Sequence, residues 1–220
     1  MNYLVIDLEM CKVPKQYRSR KYRYSNEIIQ VGAVLLDEAY EEVGRINQYV
    51  HPEYGVLDQF ITDLTGIKNC NIKNAPLLES VLTHMVVWLG ERKYKIYAWS
   101  GNDRSQLLHE IKGKKIENEK IDYFMRKENW IDYQDVYGKR FGFSREVALE
   151  EALIACDIDV QGTLHNGLDD AINTASIIKL LEENENIVLK EVECLKKLDK
   201  ESSGFCLGEL FEGLNLVCLT

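Results

Sequence analysis

Two carboxylates, Asp7 and Glu9, stand two residues apart in YLVIDLEMCK, a stretch otherwise dominated by apolar side chains. Side chains alternate across a strand, so both point to the same face. Like charges on an apolar strand repel each other and lose hydration unless something positive lies between them. A divalent cation is the simplest compensation, because hard cations take oxygen ligands. Further carboxylates are then expected at the mouth of the same sheet. Asp103, in YAWSGNDRSQLL, follows a strand at the start of a helix, where the plainer reading is an N-cap or first-turn acid. Asp170, in HNGLDDAINTA, lies in the first turns of another helix, and Asp169 beside it points about 100° away. One of these two can face a site while the other complements the helix dipole. His165 precedes Asp170 by five residues. With an ordinary pKa near ~6.5, a histidine suits proton abstraction from a metal-bound water. His51, His84 and His109 carry no such context and read as ordinary surface or capping residues.

These residues need elements to position them. NYLVID has the near-continuous apolar character of a central strand covered on both faces. EIIQVGAVLLD and RINQYVHP alternate as an antiparallel hairpin that turns near EAYEEVG. Pro76 opens a helix, APLLESVLTHMVVWLG, and KIYAWS forms a fourth strand running into the helix NDRSQLLHEI. NWIDYQDVYGKRFGF supplies a fifth strand and a short helix, and Ser144 is placed to cap the helix of SREVALEEALIACDI. HNGLDDAINTASIIKLLEE is a further helix, and IVLKEVECLKKLDK is expected to be one more. Three strands in series followed by strand–helix alternation predict an α/β fold with a mixed sheet flanked by helices.

The 220 residues suit one domain with additions, and no repeat or low-complexity linker divides them. No apolar run approaches the ~20 residues that span a bilayer. Met1 leads straight into strand-like sequence without a secretory signal. Six scattered cysteines, with no C-x-x-C pair, argue against a zinc cluster and a disulfide framework and fit a reduced cytoplasm. A net charge of −9 speaks at first against a nucleic-acid partner. Carboxylates that hold cations count as negative in that sum yet become locally neutral once loaded. The segment from Lys12 to Asn26 balances the acids with six Lys or Arg and no acid, interleaved with Tyr17, Tyr22 and Tyr24. It lacks helical or alternating pattern and reads as an exposed loop leaving the strand just after Glu9. Arg18, Arg20 and Lys21 are its candidate phosphate contacts, with the tyrosines available to stack bases.

VIDLEM, SGNDRSQLL and HNGLDDAINTA, in that order, resemble the three motifs of the DEDDh (DnaQ-like) 3′–5′ exonucleases, over about residues 3–181. The interval between Glu9 and Glu27 and the LTGI at 64–67 are most similar to the Eri-type and KapD-like exoribonuclease branch. The resemblance implies a ribonuclease H-like fold with a five-stranded sheet over residues 1–182. Residues 183–220 are then a helical extension and apolar tail, packed on the same domain or on a partner. It also implies two ions, Mg²⁺ or Mn²⁺, roughly 4 Å apart. Asp7 would bridge them, Glu9 and Asp170 would share the nucleophile-side ion, Asp103 would hold the other, and His165 would be the general base. The implied activity is hydrolysis of single-stranded RNA or DNA from 3′ ends to 5′-mononucleotides. RNA is the favoured substrate, against a DNA proofreading enzyme or a non-catalytic binding adaptor. Met10, Phe60, Leu64 and Thr65 would wall the terminal-nucleotide pocket. Gly167 departs from the alanine common in the family, a change expected to loosen the helix start.

Overall fold

The structure, a computed structural model, describes residues 1–18 and 22–190. Its centre is a five-stranded sheet of β1 (Asn2–Lys12), β2 (Asn26–Leu36), β3 (Glu42–Tyr49), β4 (Tyr94–Ala98) and β5 (Trp130–Asp132). The strand order is β3-β2-β1-β4-β5, antiparallel across β1, β2 and β3 and parallel across β1, β4 and β5. The helices are α1 (Gln59–Thr65), α2 (Asn69–Ile72), α3 (Leu78–Leu89), α4 (Gly101–Lys114), α5 (Glu119–Phe124), α6 (Tyr133–Phe141), α7 (Leu149–Ala155) and α8 (Gly167–Glu183). Among the described residues no helix is long and apolar enough to cross a membrane.

Alternation along β1 sorts the core into two layers. Leu4, Ile6 and Leu8 join α3, α5 and Leu107 of α4, while Val5 faces the opposite layer with α6, α7 and α8. Asp7 and Glu9 share the parity of Val5 and so point toward α8. The pairing of β1 with β2 slips between Glu9 and Met10, leaving Ile29 as an extra residue. This bulge lets Ile28 and Val31 share one face while Ile29 packs with Cys11 in a third, smaller cluster.

Four local expectations change. The helix at 76 begins at Leu78, because the Pro76 carbonyl accepts from the His51 amide at 2.9 Å. Ser144 does not cap α7. Residues 144–148 stay outside the helix, where the Val147 carbonyl accepts from Trp99 Nε1 (3.0 Å) and Gln134 Nε2 (2.8 Å), and Glu151 turns back to the Ala148 amide at 2.9 Å. The described parts of the segment 12–26 do not form an open loop either. β1 continues through Lys12, Val13 is buried, and Tyr22 is fully buried against Tyr54, donating to the Asn26 carbonyl at 2.6 Å. Tyr22 is therefore a core residue and no base can stack on it. Finally, residues 184–190 leave α8 without a new helix, and the Lys190 amide donates to Ala155 at 2.8 Å. The remainder of the helix expected over 187–200, and the apolar tail, lie outside the described residues.

Tyr22 packs beside a buried ionic cluster at the C-terminal end of α4. Lys114 Nζ lies 2.6 Å from Glu27 and 2.9 Å from Glu110, both carboxylates being fully buried. Glu27 also accepts from the amides of Glu53, Tyr54 and Gly55, and Glu110 from the Ile28 amide and Gln106. The cluster ties α4 to the start of β2 and to the 53–55 turn. Burial raises the Glu110 pKa even though Lys114 pulls it down. Lys114→Met should therefore destabilise the fold by about 3–5 kcal/mol, because it strands two buried carboxylates. Chemical denaturation checks this, and a loss below ~1 kcal/mol would mean that the cluster is dispensable.

Candidate active site

Three elements place the four acids of the site. Asp7 and Glu9 come from the middle of β1. Asp103 sits in the first turn of α4, where the N-cap Ser100 accepts from the Asn102 amide at 3.2 Å. Asp170 sits in the first turn of α8, whose N-cap Asn166 accepts from the amides of Leu168 and Asp169. The start of α8 is held tightly. The Gly167 amide donates to Gln30 Oε1 at 3.1 Å, and Gln30 is itself fixed by Asn47 at 2.8 Å. A Cβ on Gly32 would lie 2.0 Å from the Gly167 carbonyl carbon, and one on Gly167 would lie 3.2 Å from the Asp7 carbonyl oxygen. Glycine at 167 thus permits a closer approach of helix to strand, contrary to the loosening expected from it.

One cleft, of about 750 Å³, is lined by Asp7, Glu9, Asp103, His165 and Asp170 together. Ligand oxygens of Asp7, Glu9 and Asp170 lie within 4.8 Å of one another. Asp103 is buried on the α4 side, close enough to raise the pKa of both Asp7 and Glu9. Burial, and then repulsion among these acids, pushes Asp7 well above the usual carboxylate range and Glu9 to about 8. Burial raises Asp103 to about 7, opposed by a hydrogen bond from the Leu8 backbone, and raises Asp170 to about 6.

Asp170 Oδ2 accepts from the His165 amide at 2.9 Å, whereas Oδ1 is buried with no hydrogen-bond partner among the described residues. An unsatisfied carboxylate oxygen beside two more carboxylates fits a hard divalent cation, and no nitrogen or sulfur donor competes in that triad. His165 is exposed at the cleft edge and adopts φ 63°, a left-handed conformation that histidine enters more readily than most residues. Asp169 points elsewhere, accepting from the Thr163 amide at 2.9 Å, so it braces the turn before α8.

The substrate residues expected from the sequence divide. Met10 lines the cleft. Phe60 (61% exposed) and Leu64 stand on the surface of α1, outside the cleft lining, with Lys12 Nζ 5.4 Å from the Phe60 ring centre. Thr65 is no wall, because it is buried and its hydroxyl donates to the Ile61 carbonyl at 2.8 Å. Arg18 folds back, its Nε donating to the Val13 carbonyl at 3.0 Å, and it does not line the cleft. Arg20 and Lys21 lie outside the described residues. The sequence reading missed Trp99, Asn102, Gln106 and His109, all of which line the cleft. Gln106 and His109 fall one and two turns beyond Asp103 on α4, a helical spacing that could have flagged them.

The family model for RNase_T exonucleases matches residues 4–178. ERI1 exoribonuclease 2 of Homo sapiens is 29% identical over 196 residues, covering 78% of this chain and 27% of the relative. The structure of a full-length 3′-exonuclease superposes with TM-score 0.72 at 25% identity, over 85% of this chain and 84% of that one. A 3′-exonuclease described as recognising the histone mRNA stem-loop superposes with TM-score 0.70 at 25% identity, over 82% and 63% of the two chains. The chain spans about a quarter of the length of the first curated relatives it matches. The five-stranded mixed sheet is that of a ribonuclease H-like fold. With the acids in order along the chain and a sheet and helices arranged as in these relatives, the chain belongs to the DEDDh exonucleases of the RNase_T family, on the Eri-type branch.

Proposed function

We propose that this domain removes nucleotides from the 3′ ends of single-stranded RNA, releasing 5′-mononucleotides with Mg²⁺ or Mn²⁺ as the cation. The observation that carries this reading is the meeting of Asp7, Glu9, Asp103, Asp170 and His165 in one cleft. Asp7, Glu9 and Asp170 would hold a cation, with Asp103 facing them from α4. A divalent ion there supplies Lewis-acid stabilisation of charge at the phosphate and lowers the pKa of bound water. His165 takes the proton from the attacking water at a ring nitrogen and, being exposed, can pass it to solvent. Its amide meanwhile orients Asp170 through the hydrogen bond to Oδ2. Relatives named as exoribonucleases favour RNA over DNA. The deciding experiment is degradation of matched RNA and DNA oligonucleotides, labelled at the 5′ end, in Mg²⁺ and in EDTA. A shortening ladder of RNA that requires metal is expected. Faster degradation of DNA would reassign the substrate, and no degradation of either would leave a binding adaptor.

Two kinds of substitution separate the roles within the site. Asp7→Asn and Asp170→Asn should each abolish turnover in both metals, whereas Asp169→Asn, whose side-chain oxygen can still accept from Thr163, should stay active. Substantial activity in either of the first two variants contradicts the cation-holding assignment. His165→Ala should lower kcat by ~10²–10⁴ with a smaller effect on KM, and should erase the acidic limb of the pH–rate profile. Persistence of that limb would show that His165 only orients Asp170.

The raised carboxylate pKa values also predict how the metal-free protein responds to pH. In the fold these groups keep their protons to higher pH than in the unfolded chain, so they favour folding at low pH. That contribution is lost as pH rises through about 6 to 8. In EDTA, Tm should therefore be higher at pH 6 than at pH 8 by at least ~2 °C. Asp7→Asn should shrink the difference, and Mg²⁺ should raise Tm more at pH 8 than at pH 6. A Tm difference untouched by Asp7→Asn would assign the effect to groups outside the cleft.

A further inference from the structure

The cleft continues past the acids. Ser105 and His109 line both it and a second depression of about 700 Å³ that runs toward the C-terminal end of α4. Asn102, Ser105, His109 and Lys112 are spaced three or four residues apart, so they form one stripe along the helix, ~15 Å long. The second depression has an apolar floor of Leu108, Ile111 and Ile116 and a rim carrying Arg23, Lys112 and Lys115. Glu117 is the one acid among the described residues lining it. Three cations around one acid stand out in a chain of net charge −9. None of the three forms an ion pair among the described residues, whereas the buried Lys114 between them is fully engaged. Where the two depressions join, the Tyr24 ring stacks on His109, with centroids 4.4 Å apart and planes 12° from parallel. The Arg23 guanidinium lies 5.8 Å from the Tyr24 ring centre. Flat rings at a junction, followed by unpaired cations over an apolar floor, are what a sequence-tolerant single-strand groove needs: bases stack while phosphates are neutralised.

We propose that this depression is the path of the strand upstream of the 3′ end. Single-stranded RNA leaves the catalytic cleft along α4, one base stacks on the His109–Tyr24 pair, and the following phosphates meet Arg23, Lys112 and Lys115. The basic segment between β1 and β2 thus serves the substrate through Arg23 and Tyr24, while its Tyr22 is spent in the core. The proposal rests on the nuclease reading, so the test keeps the two apart. Degradation of oligonucleotides by the unaltered protein tests the nuclease reading. The path is tested by equilibrium binding in an Asp7→Asn background, using a dinucleotide and a 12-nucleotide RNA across a salt series.

The path requires the 12-mer to bind more tightly than the dinucleotide. Adding Arg23→Gln, Lys112→Gln and Lys115→Asn should shrink that gain and flatten the slope of log K against log salt by about 2, at roughly 0.7 per phosphate contact. Asparagine suits position 115, which has φ 55°. The matched control, Lys93→Gln, Lys127→Gln and Lys139→Gln, removes the same charge from exposed lysines that do not line the depression and should leave the slope at its parent value. His109→Ala should weaken 12-mer binding about tenfold. It should also abolish the penalty that an abasic site near the 3′ end imposes on the parent. Equal slopes for the two triple variants, or no gain from dinucleotide to 12-mer in the parent, would overturn the path whether or not the protein proves to be a nuclease. An abasic penalty that persists in His109→Ala would remove the stacking step.

Discussion

The architecture of the site depends on a contact between two backbones. Gly32 of β2 and Gly167 at the start of α8 approach so closely that no side chain fits on the first of them. Gly32 is also the register partner of Asp7 across β1 and β2. The same contact that docks the helix therefore sets the height of Asp170 above the β1 carboxylates. Gln30, Asn47 and Asn166 fix the rotation of the helix about that point through a short chain of amide hydrogen bonds. Interiors respond to added volume by shifting backbone rather than by compressing. A methyl group at position 32 would thus displace Asp170, the proposed cation ligand on a different element.

Helix α4 shows two opposite treatments of a buried acid. At its C-terminal end, Glu110 and Glu27 share Lys114 and a set of backbone amides, so the protein itself balances most of their charge. At its N-terminal end, Asp103 faces further carboxylates, with no lysine or arginine among the described residues that line the cleft. The first arrangement is a fixture that can be completed during folding. The second stays unfavourable until a cation arrives, which is why the acids there hold their protons to unusually high pH. A rigid anchor at one end of the helix lets the other end carry that imbalance without swinging away from the sheet.

Much of this was legible in the sequence, for identifiable reasons. Asp7 and Glu9 could be recognised because strand periodicity puts them on one face within an apolar run. The succession of five strands along the chain followed from hydrophobic pattern and turn residues, whereas their order within the sheet did not. Helices α1, α2 and α5 left no readable signal because they are seven, four and six residues long and stand only by packing on the sheet. The role of Tyr22 was hidden for a related reason. Its neighbours in sequence are basic and polar, while its packing partner Tyr54 and the buried Glu27–Lys114 pair come together only in three dimensions. The second depression was equally invisible, because it joins residues 23–24 to residues 105–117.

His165 carries a conflict of its own. A residue with a Cβ at φ 63° stores local strain, commonly on the order of 1 kcal/mol, that glycine would not. Relief by glycine would delete the imidazole in the same step, while its amide could still reach Asp170. With the base role proposed for His165, thermal robustness and turnover pull toward different residues at this one position. Under that role, a chain that kept this fold without hydrolysis would be free to carry glycine here.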